Sequence, residues 1–327
     1  MGPAINKVTK SGNCLQCIEN SGSHYPGMSH IHKLKNGYII SFDDNSKLFK
    51  IYKFINNSLS LLSNFGIEDR PSSMFEIEEN IIIIGSYMKL LLFDINDLYN
   101  IKIIQTISLS YQNNVKQILQ LSNGLIVTND HFNIAFYKYD YVLKKLEKVK
   151  ECNFSDEIIV MFKLDNGNLL IKKYSDLIIY YPNENIIKKI EQEKTFEEEN
   201  MAVYNFINNH LIISYAEKSN FINTYINIYN IDFYNFKLQL QQNIQVDYYY
   251  LLNNFLKLSD KILIAYDNIG NIHEFEIGVN FYLTKKDIFK AHDTKIMSFC
   301  KQSDNLFLSI NDYGEINYQI AYKKTLF

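Results

Sequence analysis

Short apolar runs alternate with polar turns along this chain, and one phrase recurs over its whole length. An apolar strand end leads into a polar turn, an apolar strand, a second polar turn, and a third strand that closes on an aromatic. The first copy reads HKLKNGYIISFDDNSKLFKIYKF, around Gly37, and the second FEIEENIIIIGSYMKLLLFDI, around Asn80. Later copies centre near Gly124, Gly167, His210, Lys261 and Asn305. The landmarks follow at intervals of 43, 44, 43, 43, 51 and 44 residues, the long interval carrying extra residues in the turn 216–224. Apolar runs placed by chance would not hold such a period.

Each phrase supplies strands joined by a hairpin. Strand-like stretches between phrases, such as 58–62, 102–109 and 237–246, leave room for one strand to close a unit and another to open the next. Four strands in a period of this length is the pattern of propeller blades. The expected fold is therefore all-β: one domain over residues 1–327, a seven-bladed β-propeller of four-stranded antiparallel blades. A helical reading competes at 141–150, where Val142, Leu146 and Val149 share a face, but the repeat puts an outer strand there. The seventh copy ends too close to Phe327 for a fourth strand, while residues 13–18 form a spare strand before the first copy. Pairing that strand with the last blade would close the ring and remove its exposed edges.

The seventh copy, KAHDTKIMSFCKQSDNLFLSINDYGEINYQI, resembles a WD40 repeat. Ala291-His292 stands where that family has Gly-His, Asp312 where it has its turn Asp, and Tyr318 near the position of its Trp. Turn acids or amides recur at Asp43, Asp44, Asn129, Asp130, Asp267, Asn268 and Asn311, and aromatics end the third strand at Tyr52, Phe93, Tyr137, Tyr180, Tyr229 and Phe275. No Trp occurs anywhere, so the chain lacks the family's Trp-Asp dipeptide. The resemblance implies structural roles for His292 and Asp312, joined by a hydrogen bond that locks blade seven. It also implies that partners dock on the face made by blade-to-blade loops and the turns between second and third strands.

Composition narrows the function. A net charge of -3 disfavours a nucleic-acid binder, which normally carries a basic surplus. Four cysteines, Cys14, Cys17, Cys152 and Cys300, are too few for a disulfide framework in 327 residues, so a reducing, cytoplasmic setting is expected. No apolar run reaches membrane-spanning length, no secretory signal is visible, and Asn6 spoils a myristoylation motif after Gly2. Membrane insertion is not expected.

Several constellations invite chemistry and have plainer explanations. Cys14 and Cys17 precede His30 and His32, but two His separated by one residue do not fit a zinc finger. The acidic stretch Glu191, Glu193, Glu197, Glu198 and Glu199 reads as a solvated loop. Tyr248, Tyr249 and Tyr250 read as packing between blades five and six. No GxGxxG, GxxxxGK[ST], HExxH or GxSxG occurs, so no catalytic residue, cofactor or metal is expected. The expectation is a non-enzymatic protein–protein interaction scaffold, a subunit of a larger intracellular complex. Its partner-binding candidates are Asn129, His131, Phe132, Phe221, Asn268, Asp312 and Tyr313. The alternative is an enzyme or small-ligand binder using the central channel, which would need acids or histidines converging at the inner loop ends.

Overall fold

The computed structural model describes residues 16–21, 28–43, 47–55, 58–109, 113–191, 202–216, 224–246, 252–303, 306–313 and 316–320. Within them lie seven four-stranded antiparallel sheets arranged as a propeller. Blade one is β2 (Met28–Lys33), β3 (Ile39–Asp43), β4 (Leu48–Ile55) and β5 (Ser58–Gly66). Blade two is β6 (Pro71–Glu78), β7 (Ile81–Ser86), β8 (Lys89–Asp94) and β9 (Lys102–Ser108). Blade three is β10 (Gln117–Gln120), β11 (Ile126–Asn129), β12 (Asn133–Asp140) and β13 (Lys145–Asn153). Blade four is β14 (Ile158–Lys163), β15 (Leu169–Lys173), β16 (Leu177–Tyr181) and β17 (Ile186–Lys189). Blade five is β18 (Ala202–Ile207), β19 (His210–Ala216), β20 (Thr224–Asp232) and β21 (Lys237–Val246). Blade six is β22 (Asn253–Lys257), β23 (Ile262–Tyr266), β24 (Asn271–Ile277) and β25 (Leu283–Lys290). Blade seven takes β26 (Ile296–Ser303), β27 (Leu306–Asn311) and β28 (Ile316–Ile320), and its fourth strand is β1 (Gln16–Ser21).

The ring closes as the repeat arithmetic predicts. β1 pairs antiparallel with β28, Gln16 opposite Ile320 and Ser21 opposite Ile316, so the outermost strand of the last blade comes from the start of the chain. Residues 13–15 of the expected strand lie outside the described residues, and the strand runs on to Ser21. The stretch 141–150 is a turn followed by β13, not a helix.

Burial explains the hydrophobic pattern. The second strand of each blade lies inside the sheet and between two neighbouring blades, so both its faces are covered and it needs no polar alternation. Ile81, Ile82, Ile83 and Ile84 are all fully buried. Outer strands such as β9 and β13 are mostly exposed. Apolar side chains gather where blades meet. Phe42, Phe49 and Ile84 pack between blades one and two, and Ile31, Ile39, Leu308 and Ile316 fill the seam between blades one and seven.

The repeat landmarks have a conformational basis. Gly37, Gly124 and Gly167 take φ of 84°, 85° and 81°, where a side chain is strained. Each donates its N–H to the carbonyl of the Leu three residues earlier, Leu34, Leu121 or Leu164, closing the turn between first and second strands. Asn80 takes a similar φ of 66° in blade two. The aromatic at the third strand's end is also placed by the backbone. In five blades a bulge between third and fourth strands falls immediately before it, at Tyr52, Phe93, Tyr137, Tyr229 and Phe275. Such a bulge adds twist and re-aims the side chain.

Candidate partner-binding face

Antiparallel order puts the turns between second and third strands on the same face as the loops linking consecutive blades. Three of these turns are built from a buried acid or amide. In blade three, Asp130 Oδ1 accepts from the N–H groups of Phe132 (2.7 Å) and Asn133 (2.6 Å), and Asn133 Nδ2 donates to Oδ2 (2.9 Å). The backbone is thereby satisfied from below, and the side chains of His131 and Phe132 point outward. The turn is also held from the next loop, as Phe154 and Ile158 donate their N–H groups to the carbonyls of Phe132 and His131. Beside it, Glu157 Oε1 lies 2.7 Å from His131 Nδ1 and 2.9 Å from Lys116 Nζ. The hydrogen bonds from Lys116 and His131 hold the Glu157 carboxyl below its usual range.

Blade six repeats the device. Asp267 is buried and accepts from the N–H groups of Ile269 (3.0 Å) and Asn271 (2.9 Å), from Asn271 Nδ2 (2.8 Å), and from His273 Nε2 (3.0 Å). Burial pushes its pKa up, but the bonds from His273, Asn271 and Ile269 outweigh it, and the carboxyl titrates below its ordinary value. In blade seven Asn311 takes the same place, its Oδ1 accepting from the N–H of Tyr313 at 3.1 Å.

The lock on His292 differs from the expected one. Asn317 Nδ2 donates to His292 Nδ1 at 3.3 Å, which leaves Nε2 to carry the proton and donate to Ser309 Oγ at 2.8 Å. Asp312 acts on the ring only through its charge, and its Oδ1 is buried without a hydrogen-bond partner. The turn carrying Asp312 is pinned instead through its own N–H, which donates to the carbonyl of Lys295. Burial lowers His292 to a pKa of about 4, so the ring is neutral at neutral pH. Ser309→Ala is expected to cost about 1–3 kcal/mol by stranding the buried imidazole N–H, and Asp312→Ala less than about 1 kcal/mol. Urea denaturation of the two variants checks the order; a larger loss for the Asp312 variant would restore the acid as the lock.

The candidate residues separate by burial. Asn129 is fully buried, its amide donating to the carbonyl of Asp130, so it braces the turn from beneath. His131 and Asp312 are half-buried, while Phe132, Asn268 and Tyr313 are exposed. Phe221 and the turn 217–223 lie outside the described residues, as do most of the acidic stretch, residues 248–250 and Cys14. Two side chains not singled out from sequence complete the picture. Tyr87 of blade two and Tyr174 of blade four are exposed at the turns equivalent to that of Phe132. Each has an ion pair nearby: Lys89 with Asp69 at 2.7 Å, and Lys173 with Asp156 at 3.9 Å and Asp176 at 3.6 Å. Neighbouring blades two, three and four thus present an arc of aromatics interleaved with charge pairs. Among the described residues, no three His, Cys, Asp or Glu side chains converge as a metal set.

A closed ring of seven four-stranded blades, with turns capped by buried acids, defines a WD40-like β-propeller. No protein-family model matches the sequence, and no curated protein resembles it in sequence. Solved structures do resemble it in shape. The WD40 domain of coronin from Toxoplasma gondii superposes with a TM-score of 0.66 at 11% identity, over 99% of this chain and 90% of that one. A chain in the crystal structure of the mitotic checkpoint complex gives 0.66 at 11%, over 99% and 98%. A protein from Lactobacillus plantarum gives 0.67 at 8%, over 86% and 89%. At such identities the likeness carries the fold.

Proposed function

We propose that this chain is a non-enzymatic protein–protein interaction scaffold, a subunit of a larger intracellular complex, folded as one domain over residues 1–327. The observation that carries the reading is the arc formed by Tyr87, Phe132 and Tyr174 on three successive blades, each beside an ion pair and each on a short turn between buried strands. Exposed aromatics on rigid supports bury much area at low entropic cost, which makes them interface anchors. Charge pairs around them steer encounter and fix orientation. The likeness to a chain within the mitotic checkpoint complex supports protein docking as a use of this fold. Few cysteines support a reducing, cytoplasmic setting, and the slight negative charge supports protein over nucleic acid as partner. His131, Asn268, Asp312 and Tyr313 would extend the contact around the same face.

The test is co-purification from the native cell, read by mass spectrometry. Tyr87→Ala, Phe132→Ala and Tyr174→Ala combined should remove the specific partners, each anchor being worth about 2 kcal/mol, or roughly 30-fold in affinity. Control changes at Ser122 and Asn123, in a turn on the opposite face, should leave them in place. A partner set that survives the triple variant and is lost with the control overturns the assignment.

A further inference from the structure

The outermost strand of a blade shows a free backbone edge to water, and such edges are commonly blunted by a bulge. Five outer strands here, β5, β9, β13, β21 and β25, are bulged against their neighbours, and β1 has a register shift of its own. Among the described outer strands β17 alone runs in unbroken register. Its Ile186, Ile187, Lys188 and Lys189 lie opposite Tyr181, Tyr180, Ile179 and Ile178. All four residues are exposed, Ile186 by 41% and Ile187 by 50%.

Hydrogen bonding within blade four sets which backbone groups of β17 are free. Ile190 donates its N–H to the carbonyl of Leu177 at 2.9 Å. Antiparallel alternation then turns Lys188 and Ile186 toward β16 and turns Ile187 and Lys189 away from it. Glu191, of the same parity, shows that this edge accepts a strand. Its N–H donates to the carbonyl of Phe236 (2.7 Å) and its carbonyl accepts from the N–H of Leu238 (3.2 Å), so blade five takes one step of parallel pairing on it. Lysines often guard an exposed edge. Here Lys189 is drawn aside to Asp176. Lys188 and Glu184 are both exposed, and among the described residues neither enters an ion pair. Lys188 Nζ lies 5.9 Å from the centroid of the Phe236 ring.

We infer that β17 pairs with β17 of a second copy of this chain, antiparallel about a twofold axis, joining two blades into one continuous sheet. Across such an axis outward-facing residues must meet outward-facing residues. Two registers satisfy this. Ile187 opposite Lys189 sets Lys188 against its own copy, which like charge disfavours. Ile187 opposite Ile187 makes a β-branched pair at the axis, and the two residues exchange both backbone bonds. That register places Lys188 opposite Ile186 of the second copy and diagonal to Glu184 of the second copy, about 7–8 Å away and within reach of long side chains. Symmetry makes the ion pair twice. A strand of an unrelated protein would need only the free backbone groups; Lys188 and Glu184 at the two ends of the edge fit a copy in addition. The inference is independent of the scaffold reading, whose residues lie on the loop face and not at this outer edge.

The test is sedimentation velocity of the full chain from about 1 to 300 µM, the range in which so short an edge ladder should associate. A monomer–dimer equilibrium is expected. Ile187→Pro removes an N–H that faces outward, so the melting curve should match the parent while dimerisation weakens at least about 10-fold. Glu184→Lys and Lys188→Glu should each weaken it about 10-fold, because either change sets like charges together at both symmetric ion pairs. The two combined should restore the dimer of the parent, which loss of fold cannot do. A parent that stays monomeric through the range overturns the inference. A dimer that Ile187→Pro leaves intact uses another surface and overturns it as well. A combined charge variant that melts with the parent but stays monomeric rules out the register. If the parent is monomeric and Ile187→Pro loses a co-purifying protein, the edge serves another chain and the second-copy reading is wrong.

Discussion

Stability is expected to fall steeply between neutral pH and pH of about 4, and three histidines should account for most of the slope. His30, His32 and His292 each titrate at about 4 in the folded chain. Burial is the first cause in all three, and the charge of His30 adds to it at His32. The His30 ring stacks on Phe42 at 4.6 Å and the His32 ring lies 6.3 Å from the same Phe, in the seam between blades one and two. In the unfolded chain each ring takes a proton near pH 6.5. Between about 6.5 and 4 the unfolded state therefore binds more protons. The contribution is intact above about 6.5 and is lost as pH falls toward 4. Each site costs about 2 kcal/mol at pH 5, and three together on the order of 6 kcal/mol, a large share of a domain's net stability. The stacked pair will not add simply, because one charge disfavours the other. Denaturation midpoints measured from pH 7.5 to pH 5 check this. His30→Leu with His32→Leu should keep the fold at neutral pH and flatten the slope by more than half. An unchanged slope in that variant would falsify the assignment to this pair.

Seven blades could be read from sequence because the physics that makes a blade is local and repeats. A second strand buried on both faces must be apolar throughout, and Ile81 to Ile84 show that plainly. A turn at positive φ wants Gly or Asn, which is why Gly37, Asn80, Gly124 and Gly167 served as markers. Even closure by the first strand followed from counting strands. Side-chain pairing across loops was less legible. His292 and Asp312 suggested a lock through their resemblance to a WD40 repeat, yet the imidazole turns to Ser309 and Asn317, on the two strands beside its loop. Which of several polar groups within reach is chosen depends on fractions of an ångström that periodicity does not encode. The aromatic arc was half visible: its turns were identified and Phe132 among them, but Tyr87 and Tyr174 matter only once blades two, three and four stand side by side.

Gly270→Ala is expected to be among the most damaging single substitutions on the loop face, at about 4 kcal/mol or more. Gly270 sits in the Asp267 turn at φ of 91°, where an L side chain is strained by about 1–2 kcal/mol. An added Cβ would meet the carbonyl oxygens of His292 at 2.2 Å and Thr294 at 2.4 Å, which are backbone atoms that no rotamer change can move. The approach is close because Ala291 and His292 both donate their N–H groups to the Gly270 carbonyl, at 2.9 and 3.1 Å. Relieving the clash would break those bonds and displace the loop that carries His292 to Ser309, so damage in blade six reaches the lock of blade seven. Gly37→Ala is the matched control. Its φ of 84° imposes similar strain, but nothing lies within 4 Å of its added Cβ, so only about 1 kcal/mol should be lost. Asp267→Ala attacks the same turn from beneath, leaving the buried His273 ring, the half-buried Asn271 amide and two turn N–H groups without their acceptor, at a cost of about 3–5 kcal/mol. Urea denaturation should therefore rank Gly270→Ala and Asp267→Ala together, well below Gly37→Ala in stability. If the two glycine variants lose equally, strain alone governs both sites, and the join between blades six and seven is looser than the close backbone contact requires.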